Sequence, residues 1–287
     1  MRRCLSCDAS FQDTWACPEC SFTPISIEGF LSFAPRLAVN DPDNPTEFHT
    51  LAGIEEGNFW FRSRNRLIVW ALRRYFATAH NLLEIGCGTG FVLSGIHAAL
   101  PGLSLSGSEA SCTGLAVAAR RLPSASLFQM DARNIPFREE FDVIGAFDVL
   151  EHIQEDERVL AEMERAVKRG GGILITVPQH QSLWSNVDNI AGHVRRYSVH
   201  DLIRKINRAG FKVLRTTSFV SALLPLMFMS RLRHGNASGK RVASSEFKLS
   251  RFANAALERV LDAERVVIRM GVSMPAGGSL LVVARKD

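Results

Sequence analysis

Through the middle of the chain, short apolar runs alternate with stretches whose apolar residues recur at helical spacing. Leu82 to Ile85 reads as a buried strand, and Phe91, Val92, Leu93 and Ile96 restart the pattern as a helix. Leu103 to Gly107 predicts a second strand, with a helix behind it carried by Leu115, Ala116, Ala119 and Leu122. Ser126 to Gln129 and Phe141 to Phe147 predict strands three and four. Ile153, Leu160, Met163 and Val167 then mark a helix that Gly170-Gly171-Gly172 stops, and Ile173 to Val177 is the fifth strand. Strands alternating with helices specify an α/β fold with a doubly wound, mostly parallel sheet. Upstream, Leu67, Ile68, Ala71, Leu72, Tyr75 and Phe76 predict an amphipathic helix. Downstream, Ser198 with Asp201 predicts a capped helix start and Gly210 its end. Phe247 to Met270 predicts one long helix and Ser279 to Ala284 a closing strand.

The turn after the first strand carries the chemistry. Its pattern, Glu84-x-Gly86-x-Gly88-x-Gly90, lets bare backbone approach a ligand where a strand opens into a helix. Dinucleotide sites place the third glycine later, as GxGxxG. The spacing here, with an acid inside the strand, resembles the first motif of class I S-adenosylmethionine (SAM)-dependent methyltransferases. The following elements come in the order that resemblance requires, so it extends over roughly residues 59–210 and the last strand. Its nearest flavour is the small-molecule group that includes the ubiquinone-biosynthesis O-methyltransferases. The resemblance implies a seven-stranded Rossmann-like sheet whose last strand lies antiparallel at the edge. It also implies cofactor contacts at Glu84, Gly86, Cys87, Gly88 and Gly90. Glu109, about twenty residues beyond the turn, is placed to accept from ribose hydroxyls, with Ala110 beside it. Asp131 and Ala132 are implied at the adenine amino group, and Phe147 at the end of strand four. Trp60, with Arg64 or Arg62, is expected on a lid that reaches the methionine carboxylate; core anchoring of Phe59-Trp60-Phe61 is the competing role.

An acceptor wall is expected in the loop from Gln179 to Tyr197, which leaves the carboxyl edge of the sheet and is long for a compact domain. It carries Trp184, His193, Arg195, Arg196 and Tyr197, with the two arginines expected on an acid or phosphate group. Methyl transfer from a sulfonium is an in-line displacement, so positioning dominates. A hydroxyl acceptor also benefits from a base near neutral pKa; His152, after strand four, is the first candidate and His193 the second, set against a purely structural role for His152. Phe147-Asp148-Val149-Leu150 stands where exocyclic-amine methyltransferases carry an Asn/Asp-Pro-Pro-aromatic box, which disfavours that chemistry.

Cysteine usage adds a module. Four of the six cysteines form two knuckles, Cys4-x-x-Cys7 and Cys17-Pro-Glu-Cys20, and four thiolates suit a closed, structural zinc site with no open position for catalysis. A disulfide pair is the rival. Cys87 and Cys112 are expected as packing residues. The 287 residues, 46% hydrophobic, therefore divide into a zinc-ribbon-like module (1–24), a Pro/Gly/Ser-rich linker (25–54) and a methyltransferase domain (55–287) with substrate loops at 179–198 and 219–245.

Charge separates along the chain. Arg195 to Ser245 holds eleven Lys/Arg and one acid, a net +10, against −5 for the remainder of a chain of net +5. An anionic partner or solvated surface arginine both fit. No apolar run reaches the roughly 18 residues of a membrane span and the N-terminus lacks a signal-peptide core, so a cytoplasmic protein is expected. The run from Phe219 to Met229 is expected to line a pocket, touch a membrane surface within 219–233, or pack in the core. The expected activity is methyl transfer from SAM to a hydroxyl of a small or lipid-like anionic acceptor. The rivals are an RNA methyltransferase using the ribbon and basic third, and a SAM-binding partner protein without turnover.

Overall fold

The computed structural model describes residues 1–39, 45–233 and 249–287. The turn cluster expected at 41–45 and the loop expected at 234–245 lie largely or wholly outside these residues. The chain begins with β1 (Arg2–Arg3) and β2 (Ser10–Phe11), a small antiparallel pair. β3 (Ile25–Ile27), β4 (Phe30–Ser32), α1 (Pro35–Val39), α2 (Pro45–Glu55) and α3 (Phe59–Tyr75) precede the glycine turn. The alternating core follows as β5 (Asn81–Ile85), α4 (Phe91–Ala99), β6 (Ser104–Glu109), α5 (Cys112–Arg121), β7 (Ser126–Gln129), β8 (Phe141–Phe147), α6 (Asp156–Ala166) and β9 (Val167–Pro178). The C-terminal part adds α7 (Asn186–Ile190), α8 (Val199–Arg208), β10 (Phe211–Phe219), α9 (Leu224–Arg233), α10 (Arg251–Arg269) and β11 (Ser279–Lys286).

Among the described residues the main sheet has nine strands, ordered β10-β11-β9-β8-β5-β6-β7-β4-β3. The expected count of seven is thus exceeded by two, and both additions come from the stretch expected as linker. Phe30–Ser32 pairs parallel to β7, with Leu31 opposite Phe128, and Ile25–Ile27 closes a hairpin on it. Gln129, fully buried, fixes this junction: its side chain accepts from Ser32 Oγ (2.7 Å) and Ala34 N (3.1 Å) and donates to Ala34 O and Ala110 O. The last strand is antiparallel as expected but does not lie at the edge. β11 inserts between β9 and β10, which the hydrophobic pattern had not announced as a strand. β10 sets buried Phe211 and half-buried Val213 against exposed Lys212 and Leu214, with a bulge between Val213 and Arg215, a half-exposed edge pattern.

Burial follows the sheet. Leu82, Leu83, Val143, Ile144, Ile173 to Ile175 and Leu280 to Ala284 are fully enclosed between helical layers. One face packs on α3, α4, α5 and α10, the other on α6 and α8. Alongside α3 runs α10, tied to it by Arg62 and Arg66 on Glu258 and by Arg66 on Asp262. Asn254 also accepts from Phe59 N (2.8 Å), so the start of α3 is held by the C-terminal helix. Among the described residues no helix is long and apolar enough to cross a membrane.

Candidate functional site

Strand β5 delivers the chain to the carboxyl edge, where Gly86, Gly88 and Gly90 all take positive φ (65°, 50° and 74°). The three glycines serve different ends. A Cβ on Gly86 would meet Val149 Cγ2 at 2.5 Å, and one on Gly90 would meet the Ala118 backbone at 3.0 Å. At Gly88 a Cβ would meet nothing within 4 Å, so this residue faces open space. Glu109, at the end of β6, grips the same turn: its carboxylate accepts from Gly88 N (3.0 Å) and Ala110 N (2.7 Å). Cys87 is buried between them, and burial, reinforced by Glu84 and Glu109, pushes its thiol well above the ordinary range.

Beneath the turn Glu84 is buried with Oε2 unpartnered. Burial raises its carboxyl well above the usual range, opposed by the charge of Arg64. Arg64 stacks on the Trp60 ring (4.6 Å to the centroid) and pairs with Asp148, which also accepts from Thr176 Oγ1 (3.0 Å). The expected lid residues therefore meet the ends of β8 and β9. Asp131, the expected adenine partner, is held by Arg133, whose N, Nε and Nη2 donate to it (2.9, 3.0 and 2.9 Å). Ala132 and Phe147 are buried beside the crevice strands. The sequence reading missed Glu55 of α2, which accepts from Thr89 Oγ1 (2.6 Å) and Arg121 Nη1 (2.7 Å) and so clamps the glycine turn from outside.

A second group gathers where β8 ends. Leu150–His152 form a 3-10 turn that sinks Glu151 completely while presenting His152 at the surface of the cleft. The loop after β9 folds over this turn, with Val194 N donating to Glu151 O (2.7 Å). That brings His193 against His152, ring centroids 4.7 Å apart and nearly perpendicular. His193 Nδ1 lies 2.9 Å from Asp188 Oδ1, and Arg196 donates to the same carboxylate from Nε (2.7 Å) and Nη2 (3.0 Å). Burial alone would raise Asp188, but these hydrogen bonds and the Arg196 charge hold it well below the carboxylate range. Crowding by protein around the His152 ring, with His193 adjoining, lowers it to about 4, so it is neutral at physiological pH. The two expected catalytic histidines are thus in contact.

The expected substrate wall is largely occupied with itself. Arg195 pairs with Asp156 (2.8 Å) and donates to Ile153 O (2.9 Å); Tyr197 is 1% exposed, its hydroxyl on Asp156 Oδ2 (2.6 Å). Burial and the Asp156 hydrogen bond raise the Tyr197 phenol far above its ordinary value. Trp184 is half-buried and bonds Asn189 (3.0 Å). These residues fix the loop against the 3-10 turn.

At the N-terminus the two knuckles have the same form. Asp8 N donates to Cys4 O and Ser21 N to Cys17 O, and both Asp8 and Ser21 are left-handed (63° and 59°). Cys4 and Cys17 are buried, Cys7 and Cys20 exposed. The sulfurs of Cys4 and Cys20 lie 3.5 Å apart, those of Cys7 and Cys17 3.6 Å, and all four within 4.8 Å of one another. These separations exceed a disulfide bond of about 2.05 Å. The module is tied to the body by buried Arg3, which donates to Glu162 (2.7 Å) and Asn134 (3.0 Å).

Residues 83–175 match the family model described as "Methyltransferase domain". A probable SAM-dependent methyltransferase of Mycolicibacterium smegmatis is 26% identical over 188 residues, 61% of this chain and 70% of its own length. A phosphatidylethanolamine N-methyltransferase of Cereibacter sphaeroides is 34% identical over 103 residues, 34% of this chain and 51% of its own. Among solved structures, phosphoethanolamine N-methyltransferase 2 of Haemonchus contortus, bound to phosphomonomethylethanolamine and S-adenosylhomocysteine, superposes with a TM-score of 0.58 at 19% identity, covering 87% of this chain and 59% of that one. That likeness is one of fold. With the glycine turn, its anchored acid and a methyltransferase match over the crevice strands, the chain is an enzyme of the SAM-dependent methyltransferase class.

Proposed function

We propose that this enzyme methylates a hydroxyl on a small or lipid-like acceptor bearing an anionic group. The observation that carries the reading is the pair of imidazoles at the end of β8, where exposed His152 meets His193, whose Nδ1 is engaged by Asp188. With Nδ1 engaged by Asp188, His193 can present Nε2 to take the hydroxyl proton as the methyl group arrives, whereas a His152 lowered to about 4 is poorly matched to that step. The cofactor fits the residues present: a Cβ-free, open face at Gly88 for close approach, and Glu109 fixed by two backbone N–H groups at the crevice mouth for the ribose diol. Arg64 on Trp60 would face the methionine carboxylate. Bound SAM would supply the electrophilic methyl; the protein's part is to orient, exclude water and accept a proton.

The cysteine cluster fits a structural zinc ion held by Cys4, Cys7, Cys17 and Cys20. Four Zn–S bonds of about 2.3 Å set tetrahedral S···S edges of about 3.8 Å, close to the observed separations. An amine acceptor carrying a phosphate is the second reading, favoured by the amine substrates named for the phosphatidylethanolamine and phosphoethanolamine enzymes.

Calorimetric titration with SAM, followed by labelled-methyl transfer in a cell extract, tests the proposal. Micromolar binding weakened at least tenfold by Glu109→Ala, with label in a base-stable, anionic ether, is expected. Absence of SAM binding refutes the cofactor site; label on an amine moves the conclusion to the second reading.

A further inference from the structure

The outer side of α3 carries charge that the methyl-transfer crevice does not use. Phe59 N meets Asn254, Arg62 pairs with Glu258, and Arg66 pairs with Glu258 (2.7 Å) and Asp262 (3.1 Å). So α3 and α10 run alongside one another in the same direction, with arginine facing acid at successive turns. One turn further the acids stop. Trp70 and Arg73 of α3 share a cavity of about 450 Å³ with Arg265 and Arg269 of α10, and Arg62 and Arg66 line its near end. Arg265 draws on Asp262 (3.0 Å), the carboxylate that already serves Arg66, and its Nε is buried without a hydrogen-bond partner. Arg73 donates to a neutral carbonyl, Ala99 O (2.6 Å), and Arg269 has no ion pair among the described residues. Five guanidiniums thus line the cavity with two carboxylates beside them, a surplus of three positive charges.

We propose that this cavity binds an organic diphosphate with an aromatic body, a nucleoside diphosphate being the representative, with its phosphates on Arg73, Arg265 and Arg269 and its ring against Trp70. Guanidinium groups recognise phosphate oxygens through paired N–H donors, and several such groups around one cavity suit a ligand with more than one phosphate. The volume falls in the range of small-molecule sites, about 300–1,000 Å³. Half-buried Trp70, with Val69 beside it, gives the wall an aromatic section on which a base can stack. The last turns of α3 and α10 favour a cation each, which accounts for how Arg73 and Arg269 are carried by the protein alone. Like charges lining one cavity still repel, so an anion that bridges them should stabilise the fold. The site lies apart from the crevice: Arg64, on another face of α3, is the arginine that meets Asp148. It is therefore independent of the acceptor reading.

Isothermal titration of the full-length protein with GDP and with inorganic pyrophosphate, at physiological salt and with S-adenosylhomocysteine saturating the crevice, tests the site. GDP lacks the adenine amino group, and the saturating ligand keeps it out of the crevice. About one GDP per chain is expected, bound in the micromolar range and more tightly than pyrophosphate. Arg265→Gln and Arg269→Gln should each weaken both ligands about tenfold or more. Arg208→Gln, which removes the same charge from exposed surface on α8, should leave both unchanged. Melting temperatures on every variant report folding; Arg269→Gln should not lower it, because it removes a like charge and no ion pair. The site is refuted if the folded wild-type chain binds neither ligand, or if Arg265→Gln and Arg269→Gln bind them as Arg208→Gln does. Pyrophosphate bound more tightly than GDP would overturn the aromatic assignment. GDP binding that depends on Arg265 and Arg269 in a chain that does not bind S-adenosylhomocysteine would uphold this site and overturn the cofactor reading.

Discussion

Gly88→Ala separates a backbone requirement from a ligand requirement. Gly88 has φ of 50°, and a Cβ there meets nothing within 4 Å. The substitution therefore costs only the left-handed penalty of an L-residue, about 1–2 kcal/mol. Gly170, in β9, supplies the matched control: φ is 75° and its Cβ also meets nothing. Both variants should melt about 2–8 °C below the parent, from about 2–4 °C per kcal/mol for a domain of this size. Only Gly88 belongs to the turn on which the cofactor is proposed to rest. Displacing a cofactor packed on that backbone should weaken SAM affinity at least tenfold, about 1.4 kcal/mol. Differential scanning calorimetry and isothermal titration on the two variants are the assay. Equal SAM affinities in the two would refute the placement of the cofactor against this turn, because the folding cost is common to both.

Two further outcomes follow from the site geometry. With zinc held by the cysteine cluster as proposed, a strong chelator, or Cys7→Ser, should lower the melting temperature by several degrees without altering SAM affinity, read in the same two assays; a change in SAM affinity at unchanged stability would contradict a structural role. Because His152 titrates near 4 when folded against 6.5 unfolded, the unfolded chain binds the proton first. Its contribution is complete above pH 6.5 and is lost as pH falls toward 4, so His152→Ala should flatten the stability–pH profile in that window; an unchanged profile would contradict the shift.

The parts of this molecule legible in the sequence are those with continuous local signals. β7 and β8 have the predicted bounds, and β5 and β9 contain the predicted runs; enclosed apolar residues mark β8 and the second half of β9, whereas Val167 and the Gly170–Gly172 run, expected to close the helix, lie inside β9. Glu109 was found by its spacing from the turn. The hairpin of β3 and β4 was not, since three-residue strands show no period and their pairing partner lies about 97 residues away. β10 was hidden for a different reason: Lys212, Arg215, Thr216 and Thr217 fall among its apolar residues and a bulge between Val213 and Arg215 breaks the alternation. Glu151 was passed over although it adjoins His152, because only the later loop, folding back through Val194 and His193, makes it a buried acid among histidines. Arg195 and Arg196 carried a visible charge signal, but their partners Asp156 and Asp188 are set by tertiary packing.

The N-terminal hairpin also changes what the molecule shows to other chains. Without it, β7 would end the sheet and present the backbone of Leu127 and Phe128 as an unpaired template for a neighbour's strand. With it, the rim on that side is only three residues long and turns away at Glu28 and Gly29. At the opposite rim, β10 discourages pairing with exposed Lys212 and with the bulge between Val213 and Arg215. The segment between the cysteines and the first helices thus acts as a guard against edge-to-edge aggregation, so a clipped chain lacking residues 1–34 should lose solubility before it loses its glycine-turn crevice.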